Sequence, residues 1–233
     1  YPVEASPRDI EIINYILNPD WDKKLSLVTI DKLMHVILST RYIIENNIEG
    51  DFVECGVWRG GCSIAIAMVL NDMKADRKVF LFDTFEGMTR PGNEDYGYDG
   101  FNPLKVFEEK QKENFNDYCY ASLDYVKSKF KDLELNKYAT FIKGDVLKTL
   151  NHEKNIPDKI ALLRLDTDWY ESTKLELEKL YPKLVKNGIL LIDDYEDWQG
   201  CKKAVDEYFK GKNSKDYPFM WGNRTTGKGL IKK

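Results

Sequence analysis

The sequence predicts an α/β fold in which seven strands form one mostly parallel sheet, with an antiparallel hairpin at its C-terminal edge. Two short apolar runs, at residues 161–165 and 188–192, each end abruptly in carboxylates, and a segment of about one helix's length, 172–186, separates them. Short apolar runs suit strands covered on both faces, and an amphipathic segment between two such strands returns the chain to the same edge. This order predicts a strand, a crossover helix and a parallel strand.

Length and composition fit a single globular domain. The chain has 233 residues, of which 42% are hydrophobic and 32% are charged. That length is enough for one α/β domain with a full core, and the composition is unlike that of a disordered chain. We expect one domain over residues 1–233, with N-terminal helices forming a cap at 1–48 and a lid-like insertion at 84–120.

The charge pattern argues against nucleic acid and membranes as partners. Lys and Arg total 35 against 39 Asp and Glu, which gives a formal net charge of −4, and the sequence has no long basic block. No apolar run approaches the ~18 residues of a membrane span, and the first residues lack the pattern of a signal peptide. Because the first residue is Tyr1 rather than Met, the sequence does not show whether a segment precedes it.

The cysteines carry no sign of a disulfide framework or a zinc site. Cys55, Cys62, Cys119 and Cys201 have neither CxxC spacing nor the spacing of metal ligands. Scattered cysteines of this kind are typical of reduced thiols inside the cell. We therefore expect a soluble cytoplasmic protein.

Taken in order, the N-terminal region predicts two helices. Ser6, followed by a proline and Asp9, has the pattern of a helix start, and this helix is expected to continue to Leu17. Residues 29–47 have the spacing of a longer amphipathic helix. His35 in this second helix is expected to be a partly buried structural residue.

The rest of the chain alternates strands, helices and one long loop. Between residues 86 and 102, glycines, prolines and aromatic residues are interleaved. Loops of that length in compact domains are usually functional, so we predict that this stretch covers the site. The other strands are expected at 51–55, 79–82, 138–142, 219–221 and 229–231, and the other helices at 63–71, 104–115, 122–130 and 199–209.

A glycine-rich turn connects the first strand to its helix. The glycines from Gly56 to Gly61 follow the pattern G-x-x-x-G-G. Glycine lets the backbone turn sharply and approach a ligand, and a helix N-terminus offers unpaired N–H groups to an anion. The spacing differs from the dinucleotide fingerprint G-x-G-x-x-G and lacks the Lys-Ser/Thr of a P-loop. A nicotinamide or flavin enzyme is therefore disfavoured.

Three carboxylates follow the two central strands. Asp166 comes directly after one strand, and Asp193 and Asp194 come directly after the next. Neighbouring parallel strands lie about 4.8 Å apart, and open α/β sheets bind ligands at the carboxyl ends of their strands, so these side chains are expected to converge. Carboxylates without His or Cys favour a hard cation over zinc. We predict a Mg²⁺ site, with two helix caps and a solvated turn as the alternative.

Asp168 allows two interpretations. It lies two residues beyond Asp166, so its carboxylate could act as a general base beside the cation, which would lower the pKa of an alcohol. The sequence Asp168-Trp-Tyr-Glu171 also has the spacing of a capping box at a helix start. We favour the base.

Four ordered motifs resemble one enzyme family. They are GDFVECGVWRGG at 50–61, FDTFEGM at 82–88, LDTDWYEST at 165–173 and IDDY at 192–195. The acidic and glycine residues after the first two strands are similar to those of class I S-adenosylmethionine-dependent methyltransferases, whose sheet is Rossmann-like. Together the motifs closely resemble the macrocin O-methyltransferase family, whose members methylate sugar hydroxyls on antibiotics with S-adenosylmethionine and Mg²⁺.

The resemblance assigns roles to individual residues. Asp168 is the expected catalytic base, and the expected metal ligands are Asp166, Asp193 and Asp194. The methionine end of S-adenosylmethionine would face Glu54 and the Gly56 turn, its ribose would face Asp83, and its adenine would lie near Asp145. A competing interpretation of Asp83 is a residue that caps a turn. The full set of expected cofactor positions is Glu54, Cys55, Gly56, Gly60, Ser63, Asp83, Thr84, Ser122 and Asp145.

The predicted function is an S-adenosylmethionine-dependent, Mg²⁺-dependent O-methyltransferase that acts on a hydroxyl group of a sugar or glycosylated small molecule. Two alternatives remain open: a catechol-type O-methyltransferase, and a metal-dependent hydrolase or carbohydrate-binding protein on the same architecture. Because sugar-modifying relatives are often multimers, a homo-oligomer also stays an open alternative.

Five aromatic residues are candidates either for walls of the acceptor site or for ordinary packing: Tyr96, Tyr98, Trp169, Tyr195 and Trp198.

Overall fold

The computed structural model describes residues 1–212 and 220–233, and within them seven strands form one sheet. The strands are β1 (Asp51–Cys55), β2 (Val79–Asp83), β3 (Ala139–Lys143), β4 (Ile160–Leu165), β5 (Leu184–Ile192), β6 (Met220–Asn223) and β7 (Gly227–Ile231). Their order across the sheet is β3-β2-β1-β4-β5-β7-β6. The first five are parallel, and β7 runs antiparallel to both β5 and β6. The predicted fold class is confirmed.

The register of the central strands brings their carboxyl ends to one level. Cys55 pairs with Leu165, and Leu165 pairs with Ile192. The ladder continues one residue further, because the Asp166 N–H donates to the Cys55 carbonyl at 2.9 Å and the Asp193 N–H donates to the Leu165 carbonyl at 3.0 Å. The side chains after β4 and β5 therefore start from adjacent backbone positions, as the sequence predicts.

Helices cover both faces of the sheet. Along β1, Phe52 packs into one core layer and Val53 into the other, as expected for alternating side chains on a two-sided sheet. The helices are α1 (Pro7–Ile16), α2 (Ile30–Glu45), α3 (Gly61–Asp72), α4 (Pro103–Lys110), α5 (Leu123–Asp132), α6 (Val146–Thr149), α7 (Tyr170–Leu180) and α8 (Gln199–Phe209). The first core layer contains residues of α1, α2, α3 and α5, and the second contains residues of α6, α7 and α8.

Most helix boundaries match the expectations from sequence, and two do not. The helix expected at 104–115 ends at Lys110, because Gln111 is extended and bridges Asn116. The crossover helix expected at 172–186 is α7, which ends at Leu180. A short 3₁₀ turn follows it, and Leu184 already begins β5.

The chain between α1 and α2 packs on the glycine-rich turn before α3. The Gly61 N–H donates to the Leu25 carbonyl at 3.0 Å. The Arg59 guanidinium lies 4.7 Å from the ring centre of Trp58 and 5.4 Å from that of Trp21, and it donates to the Trp21 carbonyl. The N-terminal region thus forms one wall above the carboxyl end of β1.

The segment at 84–120 is held over the same end of the sheet by one buried carboxylate. The Asp95 Oδ1 atom accepts the Tyr170 N–H at 2.8 Å, and Oδ2 accepts the Gly92 N–H at 2.7 Å. A Cβ atom at Gly200 would lie only 1.9 Å from Asp95 Oδ1. Asp95 therefore joins this segment to the N-terminus of α7 and fits against the first turn of α8.

The C-terminal hairpin has the expected antiparallel pairing. It consists of β6 and β7, and Leu190 of β5 pairs with Leu230 of β7. Phe219, expected in the first strand of this hairpin, lies outside the described residues. In the ranges 1–212 and 220–233, no helix has the length and apolar character needed to cross a lipid bilayer.

The close approach of Gly56 to the end of β4 yields a stability prediction. Gly56 has φ +78°, and a Cβ atom there would lie 1.9 Å from the Asp166 carbonyl oxygen. Gly56→Ala is expected to lower the free energy of unfolding by about 2–5 kcal/mol, because left-handed strain and a backbone clash add together. Chemical denaturation with urea measures this loss.

Gly211→Ala is the matched control, since Gly211 has φ +76° and no atom of residues 1–212 and 220–233 lies within 4 Å of the added Cβ. It should lose only about 1–2 kcal/mol, from strain alone. Equal losses in the two variants would contradict the role of the close contact.

Candidate active site

A cavity of about 700 Å³ opens at the carboxyl ends of β1, β4 and β5. Within the described residues, eight of the side chains that line it are acidic and two, Lys32 and Arg224, are basic. Seven of the residues predicted from sequence line this cavity: Glu54, Gly56, Asp83, Asp166, Asp168, Asp193 and Asp194. The structure therefore brings together the predicted catalytic residue, the predicted metal ligands and three of the predicted cofactor positions.

Arg164 of β4 connects the tips of three strands beneath this cavity. Its Nη1 atom donates to Glu54 Oε1 at 2.7 Å and to Asp166 Oδ2 at 2.6 Å, and its Nη2 atom donates to Asp193 Oδ1 at 2.5 Å. The Arg164 and Glu54 side chains are each only 2% exposed. A planar guanidinium can serve several carboxylates at fixed angles, so Arg164 sets the positions of these acidic groups relative to one another.

Lys32 of α2 reaches the same cluster from the opposite side. Its Nζ atom lies 2.7 Å from Asp193 Oδ2 and 3.3 Å from Asp197 Oδ2, and it also donates to the Asp193 carbonyl at 3.1 Å. These carboxylates raise the pKa of Lys32 against the opposing effect of burial, so the ammonium stays charged. Each oxygen of Asp193 thus already accepts one charged hydrogen bond.

The three predicted metal ligands converge. One carboxylate oxygen from each of Asp166, Asp193 and Asp194 lies within 4.8 Å of the others. Burial and repulsion from neighbouring carboxylates raise the pKa of Asp194 well above its ordinary value, and burial raises the pKa of Asp166 to about 8 in spite of Arg164. An all-oxygen set under mutual repulsion fits a hard divalent cation.

Asp168 lies beside this set in an unusual backbone conformation. Its φ is +66°, a left-handed value that Asp tolerates better than most residues. Its N–H donates to Asp194 Oδ2 at 3.2 Å, and the Trp198 side chain hydrogen-bonds its carboxylate. Its carboxyl group also hydrogen-bonds the Asp194 carboxyl. Burial raises the pKa of Asp168 to about 6, although the side-chain hydrogen bonds with Asp194 and Trp198 oppose the rise.

The capping-box interpretation of Asp168 is wrong. Helix α7 begins at Tyr170, its N-cap is Trp169, and no side chain of the N-cap bonds the first turn. Asp95 accepts the Tyr170 N–H instead. The Asp168 carboxylate is therefore not used as the cap of this helix.

Polar groups of the glycine-rich turn and the start of α3 already have hydrogen-bond partners within the protein. Gly60 has φ +84°, and the Gly61 N–H at the start of α3 is taken by the Leu25 carbonyl. The expectation that this helix start offers unpaired N–H groups is thus wrong for Gly61. Ser63 is fully buried and donates to Glu54 Oε2, so its contact is with Glu54 rather than with the cavity.

Asp83 caps backbone turns at the end of β2. Its Oδ2 accepts the N–H groups of Val57 and Trp58 at 2.7 and 3.1 Å, and its Oδ1 accepts the Phe85 N–H at 2.6 Å. The turn-capping interpretation is therefore confirmed, while Asp83 still lines the main cavity. A carboxylate oxygen can accept more than one hydrogen bond, which leaves capacity for a ligand.

A smaller cavity of about 60 Å³ adjoins the main one. Thr84 and Asp145 line it, together with Gly56, Asp83 and Asp166, which face both cavities. Asp145 uses Oδ1 to accept the Leu147 N–H at 2.9 Å. These two predicted cofactor positions therefore lie on the β2 and β3 side of the site.

Besides Ser63, three predicted cofactor positions line neither cavity. Cys55 is fully buried at the end of β1, Gly60 lies inside the glycine-rich turn, and Ser122 is the N-cap of α5. Of the five aromatic residues proposed as walls, Trp198 lines the main cavity. Trp169 packs edge-on against the Trp198 ring, with ring centres 5.0 Å apart. Phe101 contributes another aromatic wall that the sequence analysis did not single out.

Sequence reasoning also missed the cations of the site. Arg164 lies inside the apolar run of β4, and a charged residue within a fully buried strand is the signal that could have identified it. Lys32 carries no such signal, because it lies in an amphipathic helix 161 residues before Asp193. Its role depends on how α2 packs against the sheet.

Comparison with known proteins agrees with this arrangement. The family model described as "Macrocin-O-methyltransferase (TylF)" matches residues 17–221 of the chain. The demethyldecarbamoylnovobiocin O-methyltransferase of Streptomyces niveus is 35% identical over 200 residues, which cover 81% of this chain and 70% of that protein. An 8-demethyl-8-(2,3-dimethoxy-alpha-L-rhamnosyl)-tetracenomycin-C 4'-O-methyltransferase of Streptomyces olivaceus is 31% identical over 208 residues, covering 88% and 73%. The solved O-methyltransferase NovP superposes with a TM-score of 0.78 at 29% identity, covering 95% of this chain and 88% of NovP.

The position of Arg164 predicts a large loss of stability on its removal. Arg164→Met leaves Glu54, Asp166 and Asp193 without their shared partner. Breaking a buried ion pair by removing one partner costs about 3–5 kcal/mol, and urea denaturation measures it.

Lys159→Met is the control, because Lys159 and Glu49 form an ion pair at 2.7 Å with side chains 56% and 62% exposed. That variant should lose at most about 1 kcal/mol. A loss of that size for Arg164→Met would show that the three carboxylates do not depend on this guanidinium.

Proposed function

The chain belongs to the macrocin O-methyltransferase family, and on that basis we propose that it transfers the methyl group of S-adenosylmethionine, with Mg²⁺ bound, to a hydroxyl group of a sugar or a glycosylated small molecule. Family membership makes the protein an O-methyltransferase. It decides against the metal-dependent hydrolase and the carbohydrate-binding protein that the sequence analysis left open.

One observation carries this proposal. Four aspartates, Asp166, Asp168, Asp193 and Asp194, line the same cavity as the glycine-rich turn at Gly56. Methyl transfer needs a sulfonium donor, an acceptor hydroxyl and a proton acceptor close together. The arrangement supports all three requirements within one cavity.

A divalent cation would be held by Asp166, Asp193 and Asp194. When bound, it supplies positive charge that favours loss of a proton from the acceptor hydroxyl. Arg164 and Lys32 orient Asp193, and Arg164 also orients Asp166, so these two carboxylates are fixed before any ligand enters. Asp194 makes no ion pair with Lys or Arg in ranges 1–212 and 220–233. Its hydrogen bonds are with Asp168, from the backbone N–H and from the carboxyl group.

Asp168 is the proposed proton acceptor. When bound, S-adenosylmethionine would supply a methyl group whose bonding pair would stay on sulfur as the new C–O bond formed. The Asp168 carboxylate would take the hydroxyl proton, and the Trp198 side chain holds this carboxylate in place. Glu54 and Gly56 border the space for the methionine end of the donor.

The acceptor would enter between aromatic and charged walls. Trp198 and Phe101 offer apolar faces, while Asp99, Asp197 and Arg224 offer polar contacts at the same end of the cavity. A mixed surface of this kind suits a sugar ring, which has apolar faces and hydroxyl edges. The names of the compared relatives support a glycosylated acceptor, since one of them specifies a rhamnosyl group.

The experiment that tests this function combines binding and turnover. Calorimetric titration should detect S-adenosylmethionine binding, and mass spectrometry should detect a gain of one methyl group on demethyldecarbamoylnovobiocin or on a rhamnosyl tetracenomycin when Mg²⁺ is present. A catechol methylated faster than either glycosylated acceptor would favour the catechol-type alternative. No binding of S-adenosylmethionine would refute methyl transfer.

The proposed ligand role of Asp194 predicts a selective loss of cation binding. Asp194→Asn should weaken Mg²⁺ or Mn²⁺ binding by at least about tenfold, because changing even an outer partner of a metal ligand costs about that much, while affinity for S-adenosylmethionine stays within about twofold. Mn²⁺ titration followed by electron paramagnetic resonance measures the first effect, and calorimetry measures the second.

Asp197→Asn is the matched control, because Asp197 lines the same cavity and pairs with Lys32 and Arg224 but is outside the ligand set. It should keep near-normal Mn²⁺ affinity. Equal losses in the two variants would argue that the cluster acts through its total charge and contains no defined site.

The role of Asp168 predicts a loss of turnover without a loss of stability. Asp168→Asn should lower kcat by roughly 10²–10⁴-fold, the usual contribution of a general base. Asn tolerates the left-handed conformation about as well as Asp, so the melting temperature should change little. Intact turnover combined with a large drop in melting temperature would assign Asp168 a structural role instead.

A further inference from the structure

Glu176 is a fully buried carboxyl group on α7, behind the Asp166–Thr167–Asp168 turn, and the mechanism above does not use it. We propose that Glu176 is a positioning residue that works as a neutral carboxylic acid, whose proton completes a hydrogen-bond chain that holds this turn from behind. The inference rests on the proposed function only where it treats Asp168 as the base.

The contacts of Glu176 lead directly to the residue between two site aspartates. Thr167 Oγ1 lies 3.0 and 3.1 Å from the two Glu176 carboxyl oxygens and 2.9 Å from Ser172 Oγ. Ser172 Oγ in turn lies 3.0 Å from the Trp169 carbonyl oxygen. Glu176 is thus the inner end of a chain of oxygen atoms that passes through Thr167 and ends on the backbone beyond Asp168.

Counting hydrogens identifies the protonated form. The network has four links, from Cys55 to Glu176, from Glu176 to Thr167, from Thr167 to Ser172 and from Ser172 to the Trp169 carbonyl. The Cys55 thiol and the two hydroxyl groups supply one hydrogen each, so a carboxylate at Glu176 would leave one of these four close pairs without a hydrogen. A protonated Glu176 donates to Thr167, Thr167 donates to Ser172, and Ser172 donates to the carbonyl, which satisfies every link.

The surroundings also disfavour a negative charge at Glu176. In ranges 1–212 and 220–233 no Lys or Arg forms an ion pair with it. The ionisable groups that face it are the Cys55 thiol of β1, the Cys201 thiol of α8 and the carboxyls of Asp166 and Asp168 beyond β4. Burial raises the pKa of Glu176 to about 8. Hydrogen bonds with Thr167 and Cys55 oppose this rise, and the carboxyls of Asp166 and Asp168 add to it.

The held turn matters because its backbone is strained. Asp168 sits at φ +66°, and Asp166 is pressed against Gly56 from the other side. Thr167 connects the two, and its hydroxyl contacts Glu176 and Ser172. Loss of the chain would let Asp168 relax and would move its carboxylate relative to the acceptor.

The first test reads the proton directly. At neutral pH, the infrared spectrum of the wild-type protein minus that of Glu176→Gln should contain a positive carboxylic-acid carbonyl band. Glu178→Gln, an exposed position on the same helix, is the control, and its difference spectrum should lack that band. This readout needs no acceptor, so it stands even if the proposed function fails. Absence of the band from the Glu176→Gln difference spectrum would overturn the inference.

The second test uses stability against pH. The folded protein keeps a proton on Glu176 that the unfolded chain loses above pH 4.5, so this group lowers the free energy of unfolding progressively from about pH 4.5 to about pH 8. Glu176→Gln has no such proton. Its melting temperature should therefore fall less than that of the wild-type protein across this window, and parallel curves would contradict a neutral Glu176.

The third test separates positioning from packing. With demethyldecarbamoylnovobiocin as acceptor, Glu176→Gln should keep at least about a third of the wild-type kcat, because an amide can still donate to Thr167, whereas Glu176→Ala should lose about tenfold or more in kcat with little change in KM for S-adenosylmethionine. Thr167→Val, which removes the next link, gives the same comparison if the alanine variant fails to fold. If Glu176→Gln is as slow as Glu176→Ala or Thr167→Val, the working form is the anion and the inference is wrong.

Discussion

The structure of the site depends on one buried guanidinium. Arg164 donates to carboxylates that follow or end three different strands, Glu54 of β1, Asp166 after β4 and Asp193 after β5. Without this guanidinium, the parallel register would bring the three carboxylates together with no positive charge between them, and they would repel one another. With it, the same register creates a rigid acidic surface at the bottom of the cavity, and the ammonium of Lys32 secures the outer oxygen of Asp193 from α2.

The remaining imbalance of charge explains why the cavity suits a cation. The acidic side chains that line it outnumber Lys32 and Arg224 among the described residues. Burial, together with repulsion from Asp168, Asp166 and Asp193, holds the pKa of Asp194 well above its ordinary value. The surrounding walls come from distant parts of the chain. The Leu25 carbonyl accepts the N–H group of Gly61, Asp95 anchors the 84–120 segment to α7, and Trp198 lines the cavity and hydrogen-bonds Asp168. The charged centre thus sits inside a cavity whose walls are fixed by backbone contacts.

Much of this arrangement could be predicted from sequence, and the limits have physical causes. Asp166 and Asp193 were predictable as neighbours because parallel strands align residues that follow equivalent apolar runs. Asp95, in contrast, caps α7 from a loop without periodicity, and Lys32 reaches Asp193 only through the packing of α2. Ser63 and Cys55 illustrate the opposite limit. Their places in a motif suggested ligand contact, while their side chains point into the protein, towards Glu54 and Glu176.

The most direct measurement of the central claim is a crystal structure with S-adenosylhomocysteine and Mn²⁺, read through the anomalous signal of the metal. The account predicts one Mn²⁺ peak bound by oxygens of Asp166, Asp193 and Asp194, with Arg164 still joining the strand tips and the sulfur of the ligand on the Gly56 side of the cavity. A metal peak away from these three carboxylates, or a ligand bound outside the cavity, would contradict it.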